Sequence, residues 1–168
     1  MKKEKGFSLI ELLIVVAIMA IIAAIAIPSM LTARMAANEA AAIQSLRTYG
    51  SAQTAFAATN SQMYGTLAQL TDEANGGYLD NRWTDSITFN GYVFEENQAI
   101  PGAPAAAAVP APDGFGCIAT PLTPDSTGRY VYGIASDQVV RFLAVAGTAN
   151  APMCGGAPCE AGDPIGKQ

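Results

Sequence analysis

Glu11 is the residue whose placement says most about the chemistry available to this chain. It is the only charged side chain between Phe7 and Ile27, five positions into a run that is otherwise apolar apart from Ser8. A carboxylate within such a segment costs about 2.5–3.5 kcal/mol on membrane-insertion scales, so it demands a counter-charge or a function. A buried ammonium group has the matching difficulty, and the two are tolerable together. Gly6 stands just before Phe7, a small residue ahead of the apolar run and not behind it. A cut there leaves the hydrophobic segment on the mature chain. An ordinary secretory signal has a shorter apolar region followed by a small-residue cleavage site; here the run continues into Ile27-Pro28-Ser29-Met30. A plain uncleaved anchor is the simpler alternative.

Other chemistry is sparse. With no histidine, Ser-His-Asp and Cys-His nucleophiles and the usual catalytic zinc sets are excluded. The adjacent carboxylates Asp72-Glu73 and Glu95-Glu96 read as solvated surface, and Gly76-Gly77 as a turn without a phosphate loop around it. No enzyme activity, cofactor or metal is expected. The cysteines are Cys117, Cys154 and Cys159. In an oxidising compartment Cys154 and Cys159 could close a small glycine-permitted loop, leaving Cys117 buried; a bridge from Cys117 to either tail cysteine is the competing arrangement.

The element that must position Glu11 is a helix. Phe7–Ile27 is 21 residues, which at about 1.5 Å each gives roughly 30 Å, the thickness of a bilayer's hydrocarbon core. Lys2, Lys3 and Lys5 against Glu4 give the first six residues a net +2, so their removal takes the chain from −5 to −7. The basic end precedes the span, which places the N-terminus in the cytoplasm and everything after Pro28 outside. The acidic remainder argues against sequence-independent nucleic-acid binding.

Beyond Pro28 the sequence stays helix-favouring, with no glycine until Gly50. Met35, Ala42, Ile43, Leu46, Tyr49, Gly50, Gln53 and Phe56 recur at three- and four-residue steps as one stripe of an amphipathic helix. Arg34, Asn38, Glu39, Arg47 and Thr48 are the polar positions beside or away from it. One helix is predicted from about Phe7 to Ala58, with a turn near Gly65, a short helical segment at Thr66–Leu70 and a loop at Asn75-Gly76-Gly77. Strands are predicted at Ile87–Phe94, Phe115–Ala119, Arg129–Ile134 and Val139–Ala146, the last two joined by a turn at Ala135-Ser136-Asp137-Gln138. Ala99–Pro112, with four prolines and seven alanines, is predicted to be an extended surface loop. A long helix on a small antiparallel sheet is an α+β arrangement.

The string Lys5-Gly6-Phe7-Ser8-Leu9-Ile10-Glu11-Leu12-Leu13-Ile14-Val15-Val16-Ala17-Ile18 closely resembles the class III leader of type IV prepilins and type II secretion pseudopilins. That resemblance implies cleavage between Gly6 and Phe7 by a prepilin peptidase, N-methylation of the new Phe7 amine, and a role for Glu11 in neutralising the Phe7 amine of a neighbouring subunit during assembly. Pro28 matches the proline that kinks this helix in many pilins, whereas Ala20 replaces a glycine many of them carry, which puts local melting of Ala20–Pro28 in doubt. Loops in some related pseudopilins hold calcium, and Asp125 and Asp137 are the residues to examine for that. Thr127–Tyr132 through Asp137–Arg141 resembles, more weakly, the terminal hairpin of such heads.

The implied layout is a leader at 1–6, a transmembrane and filament-core helix at 7–28, an amphipathic half at 29–60, and a pilin-like head at 61–168 ending in a cysteine loop. The implied function is a structural pilin, held in the bacterial inner membrane and polymerised by the assembly machinery into an extracellular homopolymer. The alternatives are a periplasmic type II secretion pseudopilin or a low-abundance minor pilin with a tip-binding role.

Overall fold

The computed structural model describes residues 6–83, 87–97, 111–112, 114–144, 153–154 and 157–158. Its first element, α1, is a single helix over Leu9–Thr59 with Pro28 inside it, within two residues of the predicted ends. The chain separates into two compact units, one up to Arg34 and one from Met35 onward. In the first unit every described side chain is exposed. In the second, α1 buries Met35, Glu39, Ala42, Leu46, Tyr49, Gly50, Ala52, Gln53 and Phe56. The predicted stripe is thus the buried one, with Ile43 at its half-buried margin.

After α1 comes α2 (Leu67–Thr71). Its start is fixed by a capping box: the Thr66 hydroxyl accepts from the Gln69 N–H at 3.3 Å, and Gln69 Oε1 accepts from the Thr66 N–H at 2.9 Å. A 3-10 turn at Glu73–Asn75 closes on Gly76, whose φ of 111° is left-handed. Five strands follow as an antiparallel meander in the order β1-β2-β3-β4-β5. They are β1 (Ile87–Phe89), β2 (Tyr92–Glu96), β3 (Gly116–Pro121), β4 (Tyr130–Ala135) and β5 (Arg141–Ala144). The two-residue strands β6 (Met153–Cys154) and β7 (Ala157–Pro158) pair with each other in a separate two-stranded sheet. This is the expected α+β, pilin-like arrangement.

One predicted strand is two. Ile87–Phe94 breaks at Asn90-Gly91, where φ is 52° and 74°, and the halves fold back with Phe89 opposite Tyr92 and Ile87 opposite Phe94. Positive φ at both central residues is the hairpin turn whose twist matches its strands, and Asn-Gly is its preferred sequence. The apparent alternation across the turn was misleading because both halves place aromatics on one face: Phe89 and Phe94 stack at 4.3 Å. The predicted loop at 99–112 also changes at its end. Residues 99–110 lie outside the described set, but Ala111 is buried and exchanges two backbone hydrogen bonds with Tyr64.

The core of the second unit lies between the α1 stripe and the sheet. Tyr49 is its hub, stacked with Trp83 at 5.9 Å and edge-on to Phe115 at 5.6 Å. Aromatic pairs of this kind add about 0.5–1.5 kcal/mol beyond their burial.

Candidate assembly site

The described part of the first unit is an exposed, largely apolar surface. Leu9, Ile10, Leu12 and Leu13, and onward through Leu31, stand 47–77% exposed on all sides of the helix. A helix apolar all round is stable only when covered, by lipid or by other protein. It is long and apolar enough to cross a membrane.

At the head of this surface sit the residues singled out from sequence. Phe7 is 87% exposed, and nothing approaches within 4 Å of the Cα side where a Gly6 side chain would be. The Gly6–Phe7 bond therefore lies in exposed chain ahead of the helix. Glu11 turns back over the first turn, where its Oε2 accepts from the Ser8 N–H at 2.9 Å. Ser8-Leu9-Ile10-Glu11 has the spacing of a capping box, so the carboxylate is aimed at the amino end of its own chain. Favourable charge at the helix N-terminus supports the same placement. Pro28 sits within unbroken helix, and four residues on the Thr32 hydroxyl donates to the Ser29 carbonyl at 2.9 Å.

The second unit is locked by three polar clamps between α1 and the elements around it. Near its start, Asn38 Nδ2 donates to the Thr127 carbonyl at 2.9 Å, and Glu39 Oε1 accepts the Arg129 backbone N–H at 2.8 Å. The Arg129 Nε lies 3.5 Å from the same oxygen. Glu39 is thus a buried anchor for the β3–β4 loop, not one of the polar positions outside the stripe. Its spacing, four residues after Met35 and three before Ala42, is the signal that places it on the buried face. In the middle, Gln138 Nε2 donates to the Gly50 carbonyl at 3.2 Å and to Thr54 Oγ1 at 3.0 Å. At the same level of the helix, the Tyr49 hydroxyl donates to Glu96 Oε1 at 3.1 Å and accepts from Gln53 Nε2 at 2.9 Å.

These groups hold structure; they do not form a reactive constellation. Burial pushes the Tyr49 hydroxyl far above its ordinary range, reinforced by Cys117 and Glu96 nearby. For Asp137, partial burial acts upward but is outweighed by the Arg141 hydrogen bond, the Val139 N–H and the Arg141 charge, so its carboxyl is held low. Among the described residues no three His, Cys, Asp or Glu side chains gather to hold an ion. Cys117 is buried on β3. The Cys154 side chain and Cys159 lie outside the described residues, and with them the two proposed pairings.

Residues 1–27 match the model of the prokaryotic N-terminal methylation motif. Over 39 residues the chain is 62% identical to the type IV wide pilus major component PilA4 of Thermus thermophilus. That stretch is 23% of this chain and 30% of the Thermus protein, so the chain spans less than a third of its relative's length. No solved structure matches.

Proposed function

We propose that this chain is the structural subunit of a type IV pilus, made as a membrane-held precursor and polymerised through its N-terminal helix. The observation that carries the proposal is the pairing of the methylation motif at 1–27 with an all-round apolar helix exposed over its first half. Prepilin peptidase cuts between Gly6 and Phe7, and the Phe7 amine is methylated, retaining its positive charge. Before assembly the helix rests in the inner membrane with the basic leader inside and the sheet unit outside.

In the filament, helices cover one another's apolar surfaces. Glu11, already turned toward the amino end of its helix, meets the Phe7 amine of a neighbour. Desolvating either charge alone is costly, so the pair selects the register of packing as well as the partner. Contacts between different faces of successive copies are head-to-tail and generate an open fibre. The subunit is structural and catalyses nothing. Likeness to a pilus major component favours a surface fibre over a secretion pseudopilus or a tip-bound minor subunit.

Mass spectrometry of the N-terminal peptide from mechanically sheared appendages tests this. The expected peptide begins at N-methylated Phe7. Recovery of this chain only as a dispersed species beginning at Met1 overturns the proposal.

A further inference from the structure

We infer that the cleft between α1 and the β1–β2 turn is a carboxylate socket, and that in the fibre it receives Glu73 of a second copy. This deepens the fibre reading proposed above and rests on it. The cleft has a volume of about 170 Å³ and is lined by Ser45, Thr48, Arg82, Trp83, Phe89 and Asn90.

Its polar groups are mostly unengaged donors. Among the described residues the Ser45 hydroxyl and the Asn90 amide make no hydrogen bond. Arg82 engages Asp80 Oδ2 through Nε at 3.1 Å, which leaves the other donors of its fork open on a side chain 79% exposed. Asp80 itself is held by that contact and by the Arg82 N–H at 2.9 Å. Thr48 turns its hydroxyl proton back to the Gln44 carbonyl at 3.0 Å. The rings are no stacking platform. Trp83 is 7% exposed, stacked with Tyr49 and met edge-on by Phe89 and Phe94, so a sugar or base finds no free face. Neutral donors beside a guanidinium suit a carboxylate.

The source of that carboxylate is another copy of the chain. Without its first six residues each copy carries a net −7, so neighbours repel unless acids of one meet cations of the next. Asp72, Asp80, Glu39 and Asp137 already have partners. Glu73 and Asp125 are exposed and make no side-chain hydrogen bond or ion pair among the described residues. The loop carrying Asp125 sits beside its own copy's cleft: the Leu122 N–H donates to the Gly91 carbonyl at 2.9 Å, and Thr127 crowds Gly91. An acid next to the socket suits a two-fold pair, not the head-to-tail contact of an open fibre.

Glu73 has the required displacement. Its turn is tied to the far end of α1 through Tyr78, which lies against Gly76 and whose hydroxyl meets Thr59 Oγ1 at 2.8 Å. Thr48 and Thr59 are 11 residues apart on α1, about 16 Å along its axis. The turn is also preorganised: Asp72 Oδ1 accepts the Ala74 N–H at 2.9 Å, and the Glu73 carbonyl accepts the Gly76 N–H at 3.1 Å. A carboxylate presented from a fixed turn loses little freedom on docking.

The test is a charge exchange in the full chain, read as sheared fibre relative to processed subunit in the membrane. Glu73→Arg and Arg82→Glu should each lower that ratio about fivefold or more, and the two together should restore it to within about twofold of wild type. Trp83 fluorescence of the detergent-held chain should be unchanged in all three, which separates assembly from folding. Single variants that assemble like wild type, or a double variant no better than the worse single, overturn the socket. Rescue of Arg82→Glu by Asp125→Arg in place of Glu73→Arg overturns the assignment to Glu73. A wild-type chain absent from fibres overturns the fibre reading itself.

Discussion

The Gln53 side-chain amide grips the backbone of Gly65 from both directions: Nε2 donates to the Gly65 carbonyl at 2.7 Å, and Oε1 accepts the Gly65 N–H at 3.0 Å. Gln53 is fully buried, so it does for the loop after α1 what a neighbouring strand would otherwise do. Gly65 lies against the Phe56 ring, 2.7 Å from where a Cβ would stand, and only glycine lets the backbone come this close. Gln53→Leu keeps the volume but strands both Gly65 groups and removes the donor to the Tyr49 hydroxyl oxygen. It should lower unfolding free energy by about 2–4 kcal/mol, read from the denaturant midpoint of the head. Near wild-type stability would show that water replaces the amide.

Glu39 should behave mainly as a backbone anchor. Its side chain is 11% exposed whereas that of Arg129 is 41% exposed, so the ion pair itself is worth little after solvent screening. Glu39→Gln keeps an acceptor for the Arg129 N–H and should cost under about 1 kcal/mol, while Glu39→Ala should cost about 1–3 kcal/mol. Equal losses from the two variants would transfer the weight to the charge.

At Gly50 the limit is space. A Cβ there would stand 2.5 Å from Gln138 Oε1 and 2.7 Å from Ile134 Cδ1. Although alanine is the better helix former, Gly50→Ala should destabilise the head by about 1–3 kcal/mol through overpacking. A rise in melting temperature would contradict the close approach of the β4–β5 turn.

The head should lose stability at both extremes of pH. Asp137, 2.6 Å from the Arg141 guanidinium, has a folded-state pKa below its unfolded value. Its contribution is present above the unfolded value of about 3.9 and is lost as pH falls through the folded one. Asp137→Asn should therefore flatten the acid limb. Burial raises the pKa of Tyr49, Tyr92 and Tyr132. Their contribution is intact below about pH 10 and declines above it, because the unfolded chain ionises first. Phenolate absorbance from these three should appear only together with unfolding; ionisation near pH 10 of Tyr49, Tyr92 or Tyr132 themselves in a folded head, assigned by single Tyr→Phe variants, would contradict their burial.

Replacing the lone acid of the apolar helix separates storage from assembly. Glu11→Leu should enter the membrane and be cleaved normally but yield few or no fibres, measured as sheared protein against total membrane protein. Fibre yield equal to wild type would remove the pairing of Glu11 with the Phe7 amine.

Much of this was legible in the residues themselves. The apolar run around Glu11 and the stripe from Met35 to Phe56 are local patterns, and local patterns determine where a helix runs and which face it hides. The short helical segment at Thr66–Leu70 and the turn at Ala135-Ser136-Asp137-Gln138 are of the same kind. Asn90-Gly91 was equally local but was masked by the aromatic alternation on either side of it. Tertiary structure decided what depends on neighbours distant in sequence. Glu39 became a buried anchor because the β3–β4 loop presents the Arg129 N–H to it, and Gln53 became a backbone clamp because Gly65 returns beneath Phe56. A buried polar side chain is tolerable only once its partners are in place, and no spacing along the chain announces where those partners will come from.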